Sequence, residues 1–223
     1  MTAIPFEQPI HYPESDGRPM AESELHRKEM TYLVDALEDQ FRGDPRVYVG
    51  GNMFLYYMKG NPRAVVAPDV FVVRGVPKRL RKTYKLWEEG IPPGLIIEVT
   101  SESTREEDLG PKRDCYEQLG VAEYFLYDPT ADYLENRLEG LRLVEGRYRP
   151  VQPEPDGSLL SRTAGVALTL EGSRVRLVDS ATGARLLRFE ERTAALEAAE
   201  ARAKALEDEV ARLRRQLEAR GNG

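Results

Sequence analysis

Two acids stand at the ends of apolar runs in this chain: Asp69 in AVVAPDVFVV and Glu98 in LIIEVT. A carboxylate at the end of a hydrophobic strand is costly to bury unless it is paired or binds a metal. Lys112 lies four residues after Asp108 and four before Tyr116, so the three share one helical face. Two strand-borne carboxylates with a lysine nearby make a site for a divalent cation. Magnesium takes oxygen ligands, commonly one or two carboxylates plus waters. Such an ion lowers the pKa of a bound water and steadies charge on a displaced phosphate oxygen. The plainer reading stays open: Asp69 begins a turn, Glu98 pairs with a basic neighbour, and Asp108–Lys112 is an ordinary surface pair.

Other residues carry weaker signals. His26 has Glu22 and Glu29 on its helical face and offers a further acid or a general base, or simply a surface pair. Lys78, Arg79, Arg81, Lys82 and Lys85, with Tyr84 and Trp87 interleaved, form a basic run able to grip phosphates and stack on bases, or a solvated loop. Cys115, beside Tyr116, reads as a packed small residue.

The elements that must position these groups follow from periodicity. Residues 1–20 read as an extended arm. Leu25, Met30, Leu33, Val34, Leu37 and Phe41 form one stripe of a helix that Gly43-Asp44-Pro45 ends. Residues 47–49 and 53–58 read as strands, and 65–73 as a strand buried on both faces, with a bulge or sheet edge at Pro68-Asp69. Residues 74–94 read as a long connection. The central strand is 95–100, a helix runs from about Asp108 to Gly120 with Pro111 in its first turn, and 124–127 is the next strand. From about Leu141 short alternating segments predict a β-rich extension, on the same sheet or as an appended layer. In the tail, Phe189, Leu196, Ala199, Ala203, Leu206, Val210, Leu213 and Leu217 occupy a and d positions of a coiled coil.

With 223 residues, 41% of them hydrophobic and 31% charged, the chain has room for one sizeable core and an appendage. No apolar run approaches a membrane span, and the first residues lack a signal peptide's basic-then-apolar order. One cysteine excludes an internal disulfide and a Cys-rich zinc site, so the expectation is a cytoplasmic protein with no membrane partner. A net charge of −6 leaves nucleic acid to be met by a local patch.

APDVFVV followed by IIEVTSESTREEDLGPKRDCYEQLGVAEYFLYDP resembles the Uma-two family of restriction-endonuclease-like proteins, within the PD-(D/E)xK nuclease superfamily. The resemblance covers roughly residues 22–190. It implies a mixed sheet flanked by helices and magnesium-dependent cleavage of phosphodiester bonds. Asp69 matches the aspartate of the PD motif and Glu98 the acid of (D/E)xK. Thr100 stands where that motif has lysine, and Lys112 matches the lysine that members of this type carry on the following helix.

The expectation is therefore an α/β protein: a restriction-endonuclease-like domain over 1–189 with a β extension, and a coiled-coil tail over 190–223. Asp69, Glu98 and the Val99 carbonyl would hold Mg2+ (or Mn2+), Lys112 would position the water, and His26, Glu29 and Asp108 would assist. The substrate would be DNA and the assembly a homo-oligomer. The competing reading is a nuclease-fold scaffold that binds nucleic acid or a protein through its coiled coil without cleaving.

Overall fold

A computed structural model of the chain describes residues 10–15 and 23–221, with side chains to residue 217. Most of the expected N-terminal arm, and Glu22, lie outside the described residues. The first helix, α1 (Glu24–Gln40), is capped where the Ser23 hydroxyl accepts the His26 N–H at 3.1 Å. Its buried face, His26, Glu29, Tyr32, Leu33, Ala36 and Leu37, repeats at three- and four-residue steps.

The main sheet has six strands: β1 (Val47–Gly51), β4 (Val70–Arg74), β6 (Leu95–Val99), β7 (Glu123–Tyr127), β8 (Leu138–Val144) and β9 (Arg147–Pro150), in the order β1-β4-β6-β7-β8-β9. Only β6 and β7 run parallel, and they are joined by α3 (Arg105–Leu109) and α4 (Pro111–Leu119). Alternation along the strands sends Val70, Val72, Leu95, Ile97 and Val99 to one face, where α1 packs. Phe71, Val73 and Ile96 go to the other, with Tyr116 of α4 and Tyr124. Asp69 and Glu98 continue this second set by the period of two. At the sheet's outer edge the Tyr148 N–H of β9 donates to the Glu117 carboxylate of α4.

A three-stranded sheet, β10 (Leu159–Ser161), β11 (Val166–Glu171) and β12 (Arg174–Asp179), closes over the α1 face and adds Leu159, Val166, Leu168, Val175 and Leu177 to its core. The Tyr32 hydroxyl ties α1 to this sheet, accepting from the Leu177 N–H and donating to the Leu186 carbonyl. The β-rich extension thus does both things the sequence allowed: β8 and β9 prolong the main sheet, and β10–β12 make a separate layer.

Four boundaries differ from the sequence expectation. Residues 53–58 supply only β2 (Leu55–Tyr56), in a small sheet with β3 (Val65–Val66) and β5 (Tyr84–Lys85). The run 65–73 is two strands in two sheets, because Pro68 has no N–H for a ladder and Asn52 takes the Pro68 and Asp69 carbonyls instead, each at 3.1 Å. The connection 74–94 contains β5 and a short α2 (Leu86–Glu89). The helix expected from Asp108 to Gly120 breaks at Gly110 (φ −120°, ψ −99°), and Pro111 opens α4, where its missing N–H costs nothing.

Over residues 10–15 the Tyr12 ring sits 5.0 Å from both Tyr56 and Trp87, covering the small sheet. Residues 187–223 form a second unit, whose element is the 33-residue α5 (Phe189–Gly221). Among the described residues no helix is long and apolar enough to cross a membrane.

Candidate active site

The strand break at Pro68-Asp69 creates the site. Lacking a ladder partner there, the Asp69 N–H donates to Glu98 Oε2 at 3.1 Å, and Asp69 Oδ2 accepts the Val99 N–H at 2.8 Å. The start of β4 and the end of β6 are thereby cross-linked where the strands part. Since a strand residue's N–H and C=O point the same way, the Val99 carbonyl faces this notch too.

Glu98 has no solvent exposure. Its Oε1 accepts from the Tyr116 hydroxyl at 2.8 Å and lies 3.2 Å from Lys112 Nζ. Burial, and then the neighbouring Asp69 and Asp108 charges, outweigh Lys112 and push the Glu98 carboxyl up to about 8. Lys112 Nζ also donates to Asp108 Oδ1 at 2.9 Å. Burial pulls the Lys112 ammonium down, but the Glu98, Asp108 and Asp69 carboxylates overcome it and hold it above the ordinary lysine value. Asp108 is raised by burial against the opposing pull of Lys112; the Thr104 hydroxyl also lowers it without a well-formed bond to Oδ2. Among the described residues the buried Asp108 Oδ2 and Thr100 Oγ1 have no hydrogen-bond partner.

On the open side, His26 Nε2 of α1 lies 3.5 Å from Asp69 Oδ1. The two face a cleft of about 460 Å³ rimmed by Thr100, Ser101, Ser103, Thr104, Thr130 and Tyr133. Its far wall is organised by Asp128, which accepts the N–H groups of Thr130, Ala131, Tyr133 and Leu134 and the Thr130 hydroxyl. A larger cavity of about 810 Å³, lined by residues of β8, β11 and the loops after β9, contains none of these groups. The cluster of titratable groups, and not cavity size, singles this out as the candidate site.

Asp69, Glu98, Val99, Lys112, Asp108 and His26 are therefore brought together. Glu29 is not among the residues lining the cleft; its carboxylate lies 3.0 Å from Arg174 Nε of β12. The basic run is engaged elsewhere. Arg79 and Arg81 bind Glu89, with the Arg81 guanidinium 4.2 Å from the Tyr48 ring centre and its side chain 2% exposed. Lys82 pairs with Glu14, Lys85 with Glu88, and Lys78 donates to the Phe41 carbonyl. Cys115 is half-buried. The Asp128 loop had no sequence signal; Thr100 had one only as the residue at the motif lysine's position, and Tyr116 through its four-residue spacing from Lys112.

A comparison with curated proteins gives no match. Among solved structures, a "putative nuclease belonging to DUF820" from Anabaena variabilis is similar at 15% identity, with a TM-score of 0.47, covering 68% of this chain and 81% of that one. The family model Uma2, described as "Putative restriction endonuclease", matches residues 1–174. The chain belongs to the Uma2 (Uma-two) family of restriction-endonuclease-like proteins.

Proposed function

We propose that the domain over residues 1–189 is a metal-dependent endonuclease that hydrolyses phosphodiester bonds of DNA. Asp69, Glu98 and the Val99 carbonyl would hold Mg2+ or Mn2+, and the chain from residue 190 would be a separate tail. The supporting observation is the reciprocal Asp69–Glu98 arrangement beside a cleft, with donors that are all oxygen, the set a hard cation prefers. Among the described residues no three His, Cys, Asp or Glu side chains are arranged to share an ion. Two carboxylates and a carbonyl satisfy magnesium, which keeps several waters. The charge balance fits as well: one ammonium faces three acids, Glu98 is driven toward neutrality, and Asp108 Oδ2 has no partner.

When bound, the ion supplies an acidified water and charge stabilisation at the phosphate. Lys112, tethered to Glu98 and Asp108, holds a fixed positive charge at the buried end of the cluster and orients the water. His26 Nε2 steadies Asp69 Oδ1 at the cleft. Ser101, Ser103 and Thr104 present hydroxyls suited to phosphate oxygens. Of the basic run, the exposed Arg79 and Lys82 would meet the nucleic-acid backbone, while the buried Arg81 serves the fold.

Nicking of supercoiled plasmid with Mg2+ or Mn2+ tests this. Asp69→Ala or Glu98→Ala should abolish it, and Lys112→Ala should cost less; undiminished cleavage by Glu98→Ala would sink the assignment. A second reading, a binding scaffold without turnover, is favoured by Thr100 at the motif lysine's position and by the net charge of −6. It requires DNA binding with no calorimetric response to Mg2+ or Mn2+.

A further inference from the structure

The tail helix α5 carries an apolar seam whose large members are open to solvent: Leu196 is 61% exposed, Leu206 63%, Val210 47%, Leu213 47% and Leu217 68%. With Leu196, Ala203, Val210 and Leu217 as a positions and Ala199, Leu206 and Leu213 as d positions, the flanking rows are fixed. Glu200, Glu207 and Arg214 are the e row; Ala195, Arg202, Glu209 and Gln216 are the g row.

We infer that α5 is a self-association surface whose occupant is α5 of a second copy of this chain, paired as a parallel, in-register, two-stranded coil. In that arrangement each g residue meets the e residue five positions further along the other helix. Arg202 then meets Glu207 of the partner subunit, and Glu209 meets Arg214 of the partner subunit. By two-fold symmetry each contact occurs twice. Glu209, which lies 3.2 Å from Arg212 in the single helix, keeps that neighbour and gains the second arginine.

The alternatives are worse by charge. Sliding one helix by a heptad sets Arg202 against Arg214 in one direction and Glu209 against Glu207 in the other. Turning one helix round sets the e row against itself, and in the alignment of greatest overlap Glu207 faces a glutamate. Val210 at a with Leu206 and Leu213 at d suits two strands. Ala199 and Ala203 thin the early layers, so the charged rows weigh more in choosing the register than they would beside an all-leucine seam.

The test uses the full-length chain in sedimentation equilibrium at low and high salt. Wild type should be dimeric at micromolar concentration, and Leu206→Glu with Leu213→Glu should be monomeric. Arg202→Glu should weaken the dimer roughly tenfold at low salt, because two attractive pairs become repulsive, and adding Glu207→Arg should restore it. In a Cys115→Ala background, Ala199→Cys alone and Leu213→Cys alone should each form a disulfide-linked dimer, because in-register parallel helices place each position beside its own copy. A monomeric wild type overturns the inference. So does a dimer in which the two cysteine variants link only when mixed, or one indifferent to the charge reversal and its restoration.

Discussion

Asp69 and Glu98 are joined through opposite parts of their residues: the Asp69 N–H reaches the Glu98 carboxylate at 3.1 Å, and the Asp69 carboxylate takes the N–H of Val99 at 2.8 Å. Backbone positions one side chain and a side chain positions the other backbone. The two acids are therefore fixed relative to each other before any ligand arrives, as a pre-organised site requires.

Isosteric neutralisation separates this positioning from charge. Asp69→Asn keeps an oxygen for the Val99 N–H, so its melting temperature should stay close to wild type. Its Mg2+ affinity should fall, and cleavage should drop by about 100-fold or more. A variant that melts normally and still cleaves at the wild-type rate would show that Asp69 is not a ligand.

The raised Glu98 carboxyl predicts the pH dependence of stability. Between its ordinary 4.5 and about 8 the unfolded chain has released this proton while the folded chain retains it. Unfolding is then favoured as pH rises, so metal-free protein should lose stability across that window and level off above it. Asp108, also raised, acts in the same sense. Glu98→Gln should flatten the slope, and metal binding should release a proton and tighten with pH. Urea midpoints at pH 5 and pH 8 decide the matter; equal midpoints would contradict the buried-acid account.

Lys112 and Tyr116 restrain Glu98 from one side. Tyr116→Phe removes a buried donor and should cost about 1–3 kcal/mol. Lys112→Met leaves the Glu98 and Asp108 carboxyls without their cation, and should cost about 3–5 kcal/mol at pH 8 but less at pH 5, where Glu98 carries its proton. A pH-independent loss in Lys112→Met would mean that the ammonium is held for packing alone.

Glu123 gives the opposite pH signature. Burial raises this carboxyl, but donors from Ser161, Thr163 and Arg162 overcome it and leave it below the usual range. Arg142 adds contacts at 3.0 and 3.1 Å. Its contribution is present above pH 4.5 and is lost as pH falls. Glu123→Ala should cost about 3–5 kcal/mol at neutral pH and release the loop 161–163 from the start of β7, seen as faster amide exchange there. Unchanged exchange at Arg162 and Thr163 would remove it from this role.

The sequence exposed those parts of the site that obey short-range periodicity. Asp69 shares a face with Phe71 and Val73, and Glu98 with Ile96, by the period of two. Tyr116 follows Lys112 by one helical turn. The Asp108–Lys112 pair forms although the helix breaks between its members at Gly110, because Pro111 restarts it one residue later. What depended on distant partners stayed hidden. Glu123 is satisfied by residues 142 and 161–163, and Glu29 by Arg174. The basic run stayed open between a phosphate grip and a solvated loop because nothing local reveals that Glu89 and the Tyr48 ring enclose Arg81. The run 65–73 looked like one strand because hydrophobicity alone does not say that its halves belong to different sheets.

The outer strand β9 bears on how copies of this protein behave at high concentration. An open edge offers unpaired N–H groups to any passing strand, the usual route to sheet-on-sheet aggregation. Inward bonding of the Val151 N–H to Gly140 turns the backbones of residues 148 and 150 outward. At the first the N–H is already held by Glu117; at the second Pro150 has none. Arg147 and Arg149 add exposed charge beside them. This rim is thus a poor template for amyloid-like growth.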